Sequence, residues 1–282
     1  MSDRTHAPHA RPRRAASARL GCLGRCCSLA TRFHRTSTDI AALVTMSRSS
    51  PTALQVPIDG GLRELARQFA GAWPYLELIA AATGLSDPLD ARVVEAYWVG
   101  SQRLDHVSTR AVGNSMEERF RRITGGKFAT LTTSVLAGGV PHHSFAVFCI
   151  YPWTGLLSDG RKAATALTVL DRCRIRWGQV QAVTGDQVVV ESRPLRGTVA
   201  DWVSASQCLE SVVRAIDGVS MIGELAPGDW VSLHWEWICD RLTEPQVRYL
   251  RDFTLRHLKI VNEGQPALWT RPHCSGRNAG GC

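Results

Sequence analysis

Cys173-Arg-Ile-Arg-Trp-Gly-Gln-Val180 and Pro227-Gly-Asp-Trp-Val-Ser-Leu-His234-Trp-Glu-Trp-Ile-Cys-Asp-Arg-Leu242 are the stretches whose reading decides the fold of this 282-residue chain. The first places a thiol at the start of a predicted strand that turns at Gly178. The second opens on a turn, Pro227-Gly228-Asp229, and runs as a strand to the imidazole of His234. Between them, Gln179 to Val183 and Gln187 to Glu191 alternate in strand fashion around Thr184-Gly185-Asp186, a hairpin signal. Short strands separated by glycine turns predict a small barrel. A thiol and an imidazole on neighbouring strands could share a soft metal.

Within the two stretches, Cys173, Ile175, Gly178, Gln179 and Val180 fall into one frame, and Gly228, Asp229, Trp230, Val231, Leu233, His234 and Leu242 into another, neither needing a gap. In this the segment from 173 to about 260 resembles the HypC/HupF family of nickel-iron hydrogenase maturation chaperones. The resemblance implies an OB-like β-barrel with a trailing helix, and Cys173 and His234 as metal-handling residues. It also implies transient iron with cyanide and carbonyl ligands as cargo, and the hydrogenase large subunit or other maturation proteins as partners. The chain departs from the family in three respects. Cys173 is internal, so no terminal amine lies beside the thiol; Trp177 stands where the family has proline; and residues 192 to 226 form a longer connection.

Outward from the barrel, Thr243-Glu-Pro-Gln246 fits a capping box, and Val247, Leu250, Thr254, Leu258 and Val261 recur at helical spacing. A trailing helix packed on the barrel is expected. Upstream, Leu62 to Ala82 reads as one helix kinked at Pro74, and a second helix is predicted with Asp87 as N-cap and Pro88 in its first turn. A third is expected over Ser115 to Ile123, stopped by Gly125-Gly126, with Thr124 to Lys127 a turn and not a phosphate loop. Val140 to Leu157, aromatic and β-branched, reads as a buried strand closed by Pro152, and Arg161 to Thr168 as a short linking helix. The fold class is therefore α+β, in two domains: helical over 58–139, a strand and linker over 140–170, and a barrel with its C-terminal helix over 171–262. Residues 1–57 and 263–282 are expected as disordered tails.

The net charge of +8 is concentrated at one end, where the first fifty residues hold nine arginines against Asp3 and Asp39. The remainder is close to neutral, which argues against a basic nucleic-acid-binding face. No apolar run reaches the length of a signal peptide or a membrane span, because Arg19, Arg25 and Arg32 interrupt Leu20 to Leu29. The nine cysteines contain no CxxC pair, and with no secretory signal they read as reduced thiols of a cytoplasmic protein.

Each candidate has a plain structural reading beside the functional one. Cys173 is either a metal-handling thiolate, its pKa lowered by a nearby imidazole, or a buried structural cysteine. His234 is either its partner or a satisfied core histidine. If His142-His143 lies on a strand, its side chains point to opposite faces, so at most one can serve a given site. Trp230, Trp235 and Trp237 alternate along the second motif, while Trp177 and Gly178 lie in the first; they are either barrel core or an aromatic groove for a partner protein. No Ser/His/Asp elbow, HExxH or Rossmann glycine pattern is present. The chain is thus expected to be a non-enzymatic accessory protein, with a plain interaction module as the alternative. A hydrolase or transferase centred on His142 and His143 is the third reading.

Overall fold

The computed structural model describes residues 60–124, 128–197, 206–216, 219–220 and 222–264, all within one compact unit. The basic extension, residues 125–127, where a turn was expected, and the segment beyond Gly264 lie outside the described residues. Helices α1 (Gly60–Gln68), α2 (Trp73–Ala82), α3 (Ala91–Trp98), α4 (Thr109–Thr124) and α5 (Phe128–Leu136) come first. A helical turn, His143–Phe145, runs directly into a π-helical turn, Ala146–Ile150. Helix α6 (Ala163–Cys173) leads into the strands, and α7 (Glu244–Gly264) closes the chain.

The strands are β1 (Arg176–Thr184), β2 (Gln187–Ser192), β3 (Cys208–Val213), β4 (Ala215–Ile216), β5 (Val219–Ser220), β6 (Trp230–His234) and β7 (Trp237–Leu242). Five of them close a barrel in the order β1-β2-β3-β7-β6, while β4 and β5 form a separate two-stranded ribbon. The barrel is antiparallel except where β3 meets β7 in parallel at Val213 and Trp237. The hairpin expected at Thr184 is present, with Gly185 at a φ of 57° between β1 and β2. The fold is thus mixed α and β with a closed barrel in the C-terminal part.

Burial alternates along β1: Arg176, Gly178 and Val180 face inward, and Trp177 and Gln179 are half-buried on the other side. Val180, Val188, Val190, Val212, Val231, Leu233 and Ile238 fill the barrel. Gly178 does not turn the strand. It pairs with both Ser192 and Val231 mid-strand, and a Cβ there would lie 2.4 Å from Val190 Cγ1 and 2.7 Å from the Glu191 carbonyl oxygen. The glycine is needed for close approach of β2, not for a bend.

Several expected elements differ in position. Leu62 to Ala82 is two helices, because Pro74 is accommodated in the first turn of α2, where a missing N–H costs nothing. The N-cap of α3 is Asp90, which accepts from Arg92 N at 2.9 Å, while Asp87 accepts from Leu89 N and takes a bidentate pair from Arg63 at 2.7 and 2.9 Å. The third helix starts earlier, at Thr109. The strand expected over 140–157 is helical throughout its ordered turns. His142 caps it, its ring nitrogen Nδ1 accepting from Ser144 N at 3.1 Å, and Tyr151 N reaches back to Ala146 O in the five-residue step of a π-turn. An apolar run buried on all sides has no periodicity to distinguish helix from strand.

The capping box before α7 is formed: Gln246 Oε1 accepts from Thr243 N at 2.8 Å, and Thr243 Oγ1 accepts from Gln246 N at 3.4 Å. The helix extends through Gly264, into the segment expected as tail. Apolar packing crosses the boundary drawn from sequence between helices and barrel. One core cluster holds Tyr75, Tyr97, Trp98 and Phe145 together with Ile175, Leu242, Leu250 and Phe253, and Trp177 and Trp230 pack against it from the outer face of the barrel. No helix among the described residues is long and apolar enough to cross a membrane.

Candidate metal centre

Cys173 is not the first residue of a strand; it is the last residue of α6, and β1 begins at Arg176. The carbonyls of a helix's last turn have no partners within the helix. That of Cys173 accepts from His143 Nε2 at 2.8 Å, and that of Arg172 accepts from Trp235 N at 2.8 Å. The second bond ties the β6–β7 turn to the end of α6. Trp235 stands in that turn with a φ of 56°, and its carbonyl accepts from the buried Arg176 guanidinium. His234, the last residue of β6, is thereby brought beside Cys173.

The outcome is one cluster: donor atoms of His143, Cys173 and His234 all lie within 4.8 Å of one another. The two histidines are buried at 2% exposure each and Cys173 is half-buried. The rings pack closely, His143 and His234 edge to face at 5.7 Å, with Trp98 at 4.4 Å from the His143 ring and 6.1 Å from that of His234. Two of the three members, Cys173 and His234, were singled out from the sequence. His143 was named there as half of a pair on a supposed strand and in the third reading, not as a partner of Cys173; the helical turn directs it to the end of α6.

Burial sets the chemistry of these groups. It pushes the Cys173 thiol up to about 12, contrary to the lowering expected from a neighbouring imidazole. It pushes His143 down to about 4, against the pull of its bond to the Cys173 carbonyl. The protein without metal therefore holds a thiol and an uncharged His143 here at neutral pH. A carbonyl can only accept, so the bond to Cys173 O fixes the proton of His143 on Nε2 and leaves the lone pair on Nδ1. Tyr97 Oη lies 3.3 Å from that Nδ1 while also donating to Gly71 O at 2.8 Å. One hydroxyl proton serves two acceptors.

His142 belongs to a different cluster, with Ser144 and His257. Ser144 Oγ lies 2.7 Å from His142 Nδ1 and 2.7 Å from His257 Nδ1, and Val140 N donates to His257 Nε2 at 3.4 Å. Proton bookkeeping gives the chain one direction. His257 Nε2 and His142 Nδ1 both accept from backbone N–H groups, so His257 Nδ1–H donates to Ser144 Oγ, which donates to His142. All three are at most 2% exposed. This network ties α7 to the turn at His143 and lies buried between them.

The aromatic residues named as a partner groove lie on different elements. Trp230 opens β6, Trp235 lies in the turn, and Trp237 opens β7, all half-buried. The strand ends at His234, so alternation stops there. Gly178 is enclosed by Val190 and Glu191. The four described cysteines, Cys149, Cys173, Cys208 and Cys239, carry free thiols.

The chain belongs to the DUF6390 family, a family of unknown function, whose model matches residues 40–267. That span takes in the helices and the whole barrel, so all three members of the cluster lie inside it. No curated protein and no solved structure matches the chain.

Proposed function

We propose that this protein is a non-enzymatic accessory protein that handles a soft metal through Cys173 and His234, in the manner of the HypC/HupF chaperones its barrel segment resembles. In that role it carries a cyanide- and carbonyl-bound iron unit, or holds an immature nickel-iron hydrogenase large subunit, in the cytoplasm. One observation carries the reading: the thiol and imidazole nominated by the two motifs, separated by sixty residues of chain, have donor atoms within 4.8 Å. A closed five-stranded barrel followed by a capped helix supports it.

The test is affinity purification from the native cell with infrared detection of cyanide and carbonyl stretches on the isolated complex. Hydrogen uptake in a deletion strain complemented with Cys173→Ser is the companion measurement. The maturation reading expects the infrared bands with the native protein and loss of uptake with the variant; their absence, or normal uptake, overturns it.

A second reading is favoured by the burial of the cluster and by Trp177, which occupies the family's proline position. The Trp177 ring packs against helical core residues and under the Arg174 guanidinium, 5.6 Å from the ring centre. A barrel whose β1–β6 side is taken up by its own helices is suited to be a scaffold that contacts partners elsewhere. In that case the infrared bands are absent and Cys173→Ser leaves the protein's partners unchanged.

A further inference from the structure

We propose that His143, Cys173 and His234 form a three-ligand site for a borderline-soft divalent cation, zinc in the isolated chain, with one coordination position left open. This rests on the reading that Cys173 and His234 share a metal, and it adds the third ligand and the ion. His143 is the ligand that the barrel motifs do not supply.

The donor set is two imidazoles and one thiolate, a combination suited to zinc and copper and one that leaves a tetrahedral ion a free corner. Bonds of about 2.0 Å to nitrogen and 2.3 Å to sulfur place the ligand atoms of a tetrahedral ion about 3.3–3.5 Å apart. With one donor atom from each residue no more than 4.8 Å from the others, the three groups close by up to about 1.5 Å around an arriving ion, a movement that side-chain rotation supplies.

Two further observations point to a ligand. The first is His143 itself. A metal-bound histidine commonly donates its other ring N–H to a backbone carbonyl, which fixes the tautomer and aims the lone pair. His143 already has this arrangement, with Nε2–H on the carbonyl of its fellow ligand Cys173. Its free Nδ1 lone pair competes with the Gly71 carbonyl for a single tyrosine proton, a deficit that a cation at Nδ1 removes. The second is Trp98, 3% exposed and packed on the His143 ring, whose indole N–H is a buried donor without a hydrogen-bond acceptor among the described residues. Buried unpaired donors are uncommon, and one beside a candidate metal is satisfied by a water or anion on the open position.

The ligands come from three elements: the turn after His142, the end of α6 and the end of β6. An ion bound to all three staples helices to barrel, so binding must appear as stability. First-row divalent ions at such a site follow the Irving–Williams order, in which zinc binds more tightly than ferrous iron. Any iron cargo must then compete with zinc.

The experiment uses the full chain after removal of metal with a chelator. One equivalent of cobalt(II) is expected to give a thiolate-to-cobalt charge-transfer band and the intense visible bands of a four-coordinate ion, and zinc is expected to displace it. Cys173→Ser should abolish the charge-transfer band, whereas Cys239→Ser, removing another buried thiol, should keep it. His143→Gln should weaken zinc binding by at least about tenfold, since even outer-shell losses cost that much. Zinc should raise the melting temperature of the unmodified chain and do so less for the variant. Should a variant not fold, zinc-edge X-ray absorption on the unmodified chain decides the matter: one sulfur and two imidazoles in the first shell are expected. No cobalt bound at one equivalent, a charge-transfer band that survives Cys173→Ser, undiminished zinc affinity in folded His143→Gln, or a shell lacking sulfur overturns the proposal. The infrared and hydrogen-uptake measurements bear on maturation alone and can fail while zinc still binds.

Discussion

His143 Nε2 donates to the carbonyl oxygen of Cys173 across 2.8 Å, so two members of the cluster are joined through the backbone before any ion is considered. The bond satisfies a helix-end carbonyl and orients an imidazole with one atom pair. The burial that surrounds the bond also pushes the Cys173 thiol up to about 12, which leaves little thiolate at neutral pH.

Thiol labelling follows directly. With burial pushing Cys173 and Cys239 to about 12, both should react with a maleimide far more slowly than the exposed Cys208 at pH 7.5 in metal-free protein. Peptide mass spectrometry of timed samples reads the order. Cys173 labelled as fast as Cys208 would show that the end of α6 opens readily.

Acid should destabilise the protein through its buried histidines. Burial, reinforced by the neighbouring His143, takes His142 down to about 3, and burial together with His142 and Arg256 takes His257 well below the ordinary value. Unfolded, both accept protons near pH 6.5; folded, they do not until far lower. The unfolded state therefore binds more protons as pH falls below 6.5, and stability drops by up to about 1.4 kcal/mol per pH unit for each group, down to their folded pKa values. Melting temperatures of metal-free protein at pH 7.5, 5.5 and 4.5 should fall steadily. His257→Asn should melt lower at pH 7.5 yet lose less on acidification.

How much of this could be read from sequence depended on whether local pattern or tertiary contact decided each element. The hairpin at Gly185 and the capping box at Thr243 were legible because turn and cap chemistry acts over a few residues. The run from Val140 to Leu157 was not, since a segment buried on every side shows no amphipathic period, and its helical turn is decided by a local cap from His142. Cys173 and His234 were legible as chemistry, though not the helix that carries Cys173. His143 as a third ligand, and Tyr97 and Trp98 beside it, required knowing that α3 and the turn after His142 pack on the barrel's end. Gly178 was noticed for the wrong reason, as a bend and not a close approach.

Gly178→Ala tests that last distinction. A methyl group 2.4 Å from Val190 Cγ1 and 2.7 Å from a ladder carbonyl must push β1 and β2 apart, costing about 1–3 kcal/mol as overpacking. Denaturant unfolding of the variant should show the loss. A loop or turn glycine at this position, with a φ that alanine tolerates, would give a change near zero.

Thr243→Ala removes the hydroxyl that accepts from Gln246 N, and should cost about 1 kcal/mol. Gln246 also donates to Glu95 Oε1 at 2.6 Å, which anchors the start of α7 to α3. The variant should therefore show faster hydrogen exchange at the first turn of α7, with exchange in β1 and β2 unchanged.

Closure of the barrel constrains how any companion molecule can be recognised. Each strand of β1-β2-β3-β7-β6 has a neighbour on both sides, but β3 meets β7 only at Val213 and Trp237, so among the described residues their facing edges beyond that bridge are where another chain could pair with the ring. Recognition by adding a strand, which reads a partner through main-chain hydrogen bonds, is therefore confined in the barrel to the β3–β7 seam. Away from that seam a companion is read through side chains at the barrel's rims and on its helices, where selectivity depends on residue identity and not on backbone complementarity.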